Sequence, residues 1–122
     1  MTTKILLIDD DADLRNLTKI RLQAFGFDVA LACDGEEGLV KADQEKPELI
    51  IVDVMMPKMD GYTFVREIKT IDRLKNIPII VLTSKTGMKD LFEIEGVLEY
   101  MTKPYEVDEL YQKIHKCLKK NS

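Results

Sequence analysis

Apolar residues in this chain come in short unbroken runs rather than in alternation. Ile5-Leu6-Leu7-Ile8, Val29-Ala30-Leu31-Ala32, Leu49-Ile50-Ile51-Val52 and Ile79-Ile80-Val81-Leu82 are four such runs, and a shorter one lies around Tyr100 and Met101. Continuous runs of this length mark strands covered on both faces, as in a parallel sheet under two layers of helices. Helical periodicity fills the gaps. Leu14, Leu17, Leu22 and Phe25 are expected to share one face of a first helix that Gly26 stops. Asp34 is placed to cap a second helix running to about Glu45, with Pro47 ahead of the third strand. A third helix begins near Gly61 and turns Val65 and Ile68 inward, and Pro78 opens the fourth strand. The last helix carries Val107, Leu110, Ile114, Cys117 and Leu118 on one stripe. Its first turns hold Glu106, Asp108 and Glu109 and its last holds Lys116, Lys119 and Lys120, an order that complements the helix dipole. Five strands alternating with five helices predict a single α/β domain over 1–122, with a doubly wound parallel sheet and right-handed crossovers.

In such a sheet, ligands bind beyond the strand C-termini where the strand order reverses. For the order 2-1-3-4-5 the reversal lies between the first and third strands. Those strands end in Asp9-Asp10 and in Asp53, the fourth ends in Thr83-Ser84, and the fifth leads to Lys103-Pro104. Three carboxylates brought together repel one another unless a cation compensates. The available donors are hard oxygens, so Mg²⁺ is the expected ion, with Mn²⁺ the alternative. Singly, each residue has a plainer explanation. Asp11 or Asp13 suits a helix cap, Thr83 is a β-former, and Lys103 is one lysine among many. Together they form a set able to hold a cation and a phosphoryl group. An ionised carboxylate can attack phosphorus without a general base and form an acyl phosphate. The cation, the lysine and the hydroxyl would then neutralise the equatorial oxygens. Pro104 is a candidate cis-proline that would fix a sharp turn after the lysine.

Composition narrows the choice further. The 122 residues are 45% hydrophobic, enough for one domain that folds without staples. With 18 basic against 22 acidic residues the net charge is −4, which argues against a direct nucleic-acid surface. Cys33 and Cys117 lack metal-type spacing and read as reduced thiols of a cytoplasmic protein. His115, the single histidine, cannot build a histidine-based metal site. No apolar stretch approaches membrane-spanning length, and no leader is expected ahead of the first strand.

At this point the sequence resembles the receiver domains of two-component response regulators, a flavodoxin-like (CheY-like) fold. The resemblance rests on Leu6-Leu7-Ile8-Asp9-Asp10-Asp11, Asp34-Gly35-Glu36-Glu37-Gly38 and Ile50 through Pro57 to Met59-Asp60-Gly61. Val81-Leu82-Thr83-Ser84, and Gly96 through Tyr100 to Lys103-Pro104-Tyr105, complete it. It implies that Asp53 accepts a phosphoryl group from a sensor histidine kinase or a histidine phosphotransfer protein. It also implies that Asp10, Asp53 and the Met55 carbonyl bind Mg²⁺, with Asp9 acting through a metal-bound water. Thr83 and Lys103 would contact the phosphoryl group, and Tyr100 would be the switch aromatic coupled to Thr83. The output surface would be the fourth helix, fifth strand and fifth helix, presented to a downstream protein target by a monomer; dimerisation on phosphorylation is left open. Self-catalysed phosphorylation and slow dephosphorylation are implied rather than turnover of a separate substrate. The segment from Thr83 to Lys103 is about two residues shorter than the pattern, so the fourth helix is expected to depart from the usual one. Met55 and Lys85, each two positions beyond a site residue, are candidates to set the acyl-phosphate lifetime.

Three rivals share parts of this pattern. A haloacid-dehalogenase-like phosphatase also uses an aspartyl nucleophile, but Asp9-x-Asp11 is followed by Ala12-Asp13 rather than by the expected pattern. A flavin binder on the same sheet needs a small, hydroxyl-rich loop after the first strand, where this chain has three acids. A phosphorylation-independent interaction module would not need the complete acidic, hydroxyl and lysine set. The chain reads as a stand-alone receiver or one cut from a longer regulator.

Overall fold

The structure, a computed structural model, describes residues 2–56, 58–83, 99–103 and 105–120. Strands β1 (Lys4–Ile8), β2 (Asp28–Ala32), β3 (Leu49–Asp53), β4 (Ile79–Thr83) and β5 (Glu99–Thr102) form one parallel sheet in the order β2-β1-β3-β4-β5. Helices α1 (Ala12–Ala24), α2 (Gly35–Glu45), α3 (Gly61–Ile68) and the C-terminal helix (Val107–Lys120) cover it. The expected shortened fourth helix, Ser84, Lys85, Pro57 and the cis-proline candidate Pro104 fall outside the described residues.

Each unbroken apolar run divides by alternate residues between two cores, because successive strand side chains point to opposite faces. Leu6, Ile8, Ile50, Val52, Ile79 and Val81 pack with Ala42 of α2 and with Phe64, Val65 and Ile68 of α3. Ile5, Leu7, Leu49, Ile51, Ile80 and Leu82 pack with Leu22 of α1 and with Leu110, Ile114 and Cys117 of the C-terminal helix. Burying each such side chain contributes roughly 1.5–3 kcal/mol against leaving it exposed.

Helix starts follow the sequence. The carboxylates of Asp11, Asp34 and Asp60 accept from the backbone N–H of Leu14, Glu37 and Thr63, satisfying donors that the first helical turn leaves free. Gly26 stands just past the end of α1 at φ 99°, a conformation that favours a residue without Cβ.

One expectation for α1 is corrected. Leu17 and Phe25 do not face the sheet; they are 46% and 37% exposed. The inward stripe is Leu14, Thr18 and Leu22, four residues apart, with Thr18 and Leu22 buried. An apolar-only count passes over Thr18. Phe25 lies beyond the last helical residue and stacks on Tyr111 of the C-terminal helix, with ring centroids 4.2 Å apart.

Candidate functional site

Strand register brings the acidic residues together. Ile8 pairs with Val52 across β1 and β3, so Asp9 and Asp53 are the next residues at the same sheet edge. One carboxylate oxygen each from Asp9, Asp10 and Asp53 lies within 4.8 Å of the others. Asp9 and Asp53 are buried and Asp10 is exposed, so the cluster opens to solvent on the Asp10 side.

Lys103 closes the other side. Its ammonium lies 2.9 Å from Asp9 Oδ2 and 3.2 Å from Asp53 Oδ2. The sequence places Lys103 with the acidic cluster; the closer contact with Asp9 is a finding of the structure. The lysine is delivered by its own backbone N–H, which donates to the Thr83 carbonyl at 2.8 Å and extends the β4–β5 ladder by one residue. Thr83, buried at the last position of β4, stands at the same edge, where β4 runs beside β3.

The backbone around the acids is fixed by local bonds. Asp9 Oδ1 accepts from the Asp11 N–H at 3.0 Å, so both oxygens of this carboxylate already hold a donor. Arg15 of α1 reaches back to donate to the Asp9 carbonyl at 2.7 Å. The Met55 backbone N–H, two residues on, favours the ionised form of the Asp53 carboxylate. The Gly61 N–H donates to the Val54 carbonyl at 3.0 Å, and a Cβ at Gly61 would stand 2.5 Å from the Asp53 carbonyl oxygen. Only glycine lets α3 start this close to the end of β3. Met55 itself is 53% exposed at the rim.

Charge in the site is unbalanced. Burial pushes the Asp53 carboxyl above the usual carboxylate range; Lys103 opposes this and Asp9 adds to it. For Lys103, burial disfavours the ammonium, but the bonds to Asp9 and Asp53 outweigh it and hold its pKa above the ordinary lysine value. Among the described residues, one ammonium thus faces three carboxylates. The uncompensated negative charge, carried on hard oxygens and open to solvent at Asp10, fits a small divalent cation in both charge and donor chemistry.

The acid cluster, the lysine and the hydroxyl at one end of a 2-1-3-4-5 parallel sheet match a known assembly. The family described as response regulator receiver domain matches residues 5–115. The chain belongs to the response regulator receiver domain family. This receiver domain is 35% identical over 119 residues to the DNA-binding dual master transcriptional regulator RpaA of Synechocystis, covering 96% of this chain and 49% of that one. It superposes on the chemotaxis protein CheY4 of Vibrio cholerae with a TM-score of 0.91 at 31% identity, covering 96% of this chain and 99% of the other. It is also similar to the receiver domain of sensor histidine kinase PA1611 of Pseudomonas aeruginosa, solved with a magnesium ion coordinated in its active-site cleft. There the TM-score is 0.89 at 27% identity, covering 97% and 98% of the two chains. The receiver spans about half the length of the curated relatives it matches.

Tyr100, half-buried on β5 opposite Val81, packs against the core on the α2–α3 side of the sheet. Three features of the receiver were not found from sequence: the Arg15 bond to Asp9, the Asp60 cap, and a hydrogen bond of 2.8 Å between Thr18 Oγ1 and Tyr105 Oη. Asp60 directly before Gly61 was a readable cap signal. The Thr18–Tyr105 bond joins residues 87 apart in the chain, and the Arg15 bond spans a strand-to-helix turn, so neither leaves a local pattern. Among the described residues no helix is long and apolar enough to cross a membrane.

Proposed function

We propose that Asp53 of this receiver is the phosphoryl acceptor and that the donor is a phosphohistidine on a sensor kinase or a histidine phosphotransfer protein. The observation that carries this reading is the convergence of Asp9, Asp10 and Asp53 within 4.8 Å, with Lys103 bonded to two of them. An Asp53 carboxylate oxygen forms the new bond to phosphorus while the bond from phosphorus to the imidazole nitrogen breaks, and the electron pair leaves on the imidazole. Asp10, Asp53 and the Met55 carbonyl would hold Mg²⁺, with Mn²⁺ able to replace it. Asp9, whose two oxygens are already engaged, would act through a bound water. The cation, when bound, offsets negative charge on the transferring group. Lys103 and Thr83 donate to the phosphoryl oxygens, the lysine exchanging part of its carboxylate pairing for phosphate.

The whole of 1–122 is read as one receiver unit that catalyses its own phosphorylation and slow dephosphorylation and does not turn over a separate substrate. Thr83 and Tyr100 are the switch pair, and acyl phosphate shifts the balance between two conformers by its different contacts in each. The surface around β5 and the C-terminal helix, with the segment that precedes β5, would present that change to a downstream protein in the cytoplasm. Nothing favours a flavin site: the first loop carries three acids, which repel a cofactor phosphate.

Incubation with acetyl phosphate and Mg²⁺ followed by intact-mass measurement tests the reading. One added phosphoryl group is expected, absent with EDTA and in Asp53→Asn. Unchanged labelling of Asp53→Asn, or none of the wild type, contradicts it.

A further inference from the structure

Thr18 is a buried polar residue in the middle of the helix face that packs on the sheet, a position an aliphatic residue would fill better. Its hydroxyl is satisfied by one partner from far along the chain, the Tyr105 hydroxyl at 2.8 Å. Tyr105 stands two residues after Lys103, and its ring packs into the same core as Leu22 and Leu110. Burial pushes the Tyr105 phenol above its ordinary pKa, so it is neutral and protonated at physiological pH. The segment from 103 to 105 is therefore held at both ends. The Lys103 N–H is bonded to Thr83 O and the Tyr105 hydroxyl to α1. The same helix holds the other partner of the lysine, since Arg15, three residues before Thr18 and on the same face, donates to the carbonyl of Asp9.

We propose that the Thr18–Tyr105 hydrogen bond is a clasp that positions the Lys103 ammonium over Asp9 and Asp53. Thr18 and Tyr105 touch no reacting atom; they act through the lysine. A phenylalanine at 105 would fill the same core space, so packing alone gives no reason for the hydroxyl. What the hydroxyl adds is a directional tie from the lysine-bearing segment to the helix that follows the acid pair. With the tie removed, the ring can slide in its apolar seat and the ammonium gains freedom relative to the carboxylates. Loss of positioning at this level slows transfer without removing any group from the site.

The proposal rests on the reading of Asp53 as acceptor, so its test has one arm that depends on phosphorylation and one that does not. Tyr105→Phe and Thr18→Val each remove the hydrogen bond, and Thr18→Ser keeps it. In the first arm, the rate of phosphorylation by acetyl phosphate at saturating Mg²⁺ is expected to fall about five-fold in each of Tyr105→Phe and Thr18→Val. The double variant is expected to be no slower than either single, and Thr18→Ser is expected to run near the wild-type rate. Losses that multiply in the double variant, or singles at the wild-type rate, overturn the clasp. In the second arm, nitrogen-15 NMR without divalent cation follows the Lys103 side-chain ammonium. A resolved signal is expected in the wild type and Thr18→Ser, broadened or lost in both hydroxyl deletions while the backbone spectrum elsewhere is kept. A signal unchanged in Tyr105→Phe overturns the clasp. If the ammonium responds as stated but the wild type takes up no phosphoryl group, the clasp stands and the acceptor reading falls.

Discussion

Asp53 and Lys103 are each shifted by the other, and the two substitutions should act in opposite directions. Burial lifts the Asp53 carboxyl above its ordinary range, so in cation-free protein its ionised form costs stability. A folded-state pKa above the unfolded one gives a cost that is fully present above the folded pKa and fades as pH falls through it. Asp53→Asn is therefore expected to melt higher than the wild type in EDTA at pH 7.5, with the gap closing under mild acid. A difference of about 1 kcal/mol would show as roughly 4 °C in a domain this size. Lys103→Gln should do the reverse, lowering stability by about 2 kcal/mol, because two buried carboxylates lose their cation. Thermal melts of the three proteins in EDTA check both. Asp9, Asp10, Asp53, Thr83 and Lys103 were all legible as a set, because each closes an apolar run. The finer partition, with Lys103 nearer Asp9 than Asp53, was not, since it depends on which oxygen each backbone bond leaves free.

Among the elements, strands and helix caps were easier to read than helix faces. Unbroken apolar runs gave the β1, β3 and β4 cores directly, and Asp34 and Gly26 marked helix ends through their local chemistry. In α1 the apolar count failed because a hydroxyl with a distant partner holds a core position while Leu17 lies in solvent. Leu22→Ala should accordingly cost about 2–4 kcal/mol, whereas Leu17→Ala should stay within about 0.5 kcal/mol, as denaturant midpoints would show. The edge strand β5 carries a second checkable contact. Glu99 is bonded by the ammoniums of Lys113 and Lys116 at 3.0 and 2.9 Å, tying β5 to the C-terminal helix. Burial raises the Glu99 carboxyl, the two lysines outweigh that, and the net position is below the ordinary glutamate range. Its stabilisation is thus present above the unfolded glutamate pKa and lost as pH falls through the folded one. Glu99→Gln is expected to lower stability by roughly 0.5–1 kcal/mol at pH 7, the figure being kept small because Lys116 is more than half in solvent. Urea unfolding at a series of pH values should show that deficit vanish in strong acid.

For the whole molecule, the sheet order fixes where the chemistry sits. With β1 and β3 adjacent and their crossovers leaving in opposite directions, the Asp9-Asp10 pair and Asp53 meet at one edge of the sheet, with Asp10 exposed. Among the described residues the acids at this end of the sheet outnumber their one ammonium, and a divalent cation should relieve the excess. At ten times its dissociation constant Mg²⁺ is expected to add about 1.4 kcal/mol of stability. Asp10→Asn should abolish most of that gain, which calorimetry with and without Mg²⁺ would register. The most direct measurement concerns which carboxylate takes the phosphoryl group. Protein treated with acetyl phosphate and Mg²⁺ can be reduced with borohydride, which converts an aspartyl phosphate to homoserine, and the peptides then sequenced by mass spectrometry. Homoserine at position 53 alone is the expected result. Homoserine at 9 or 10, or an acid-stable phosphate on Thr83 in its place, would contradict the account.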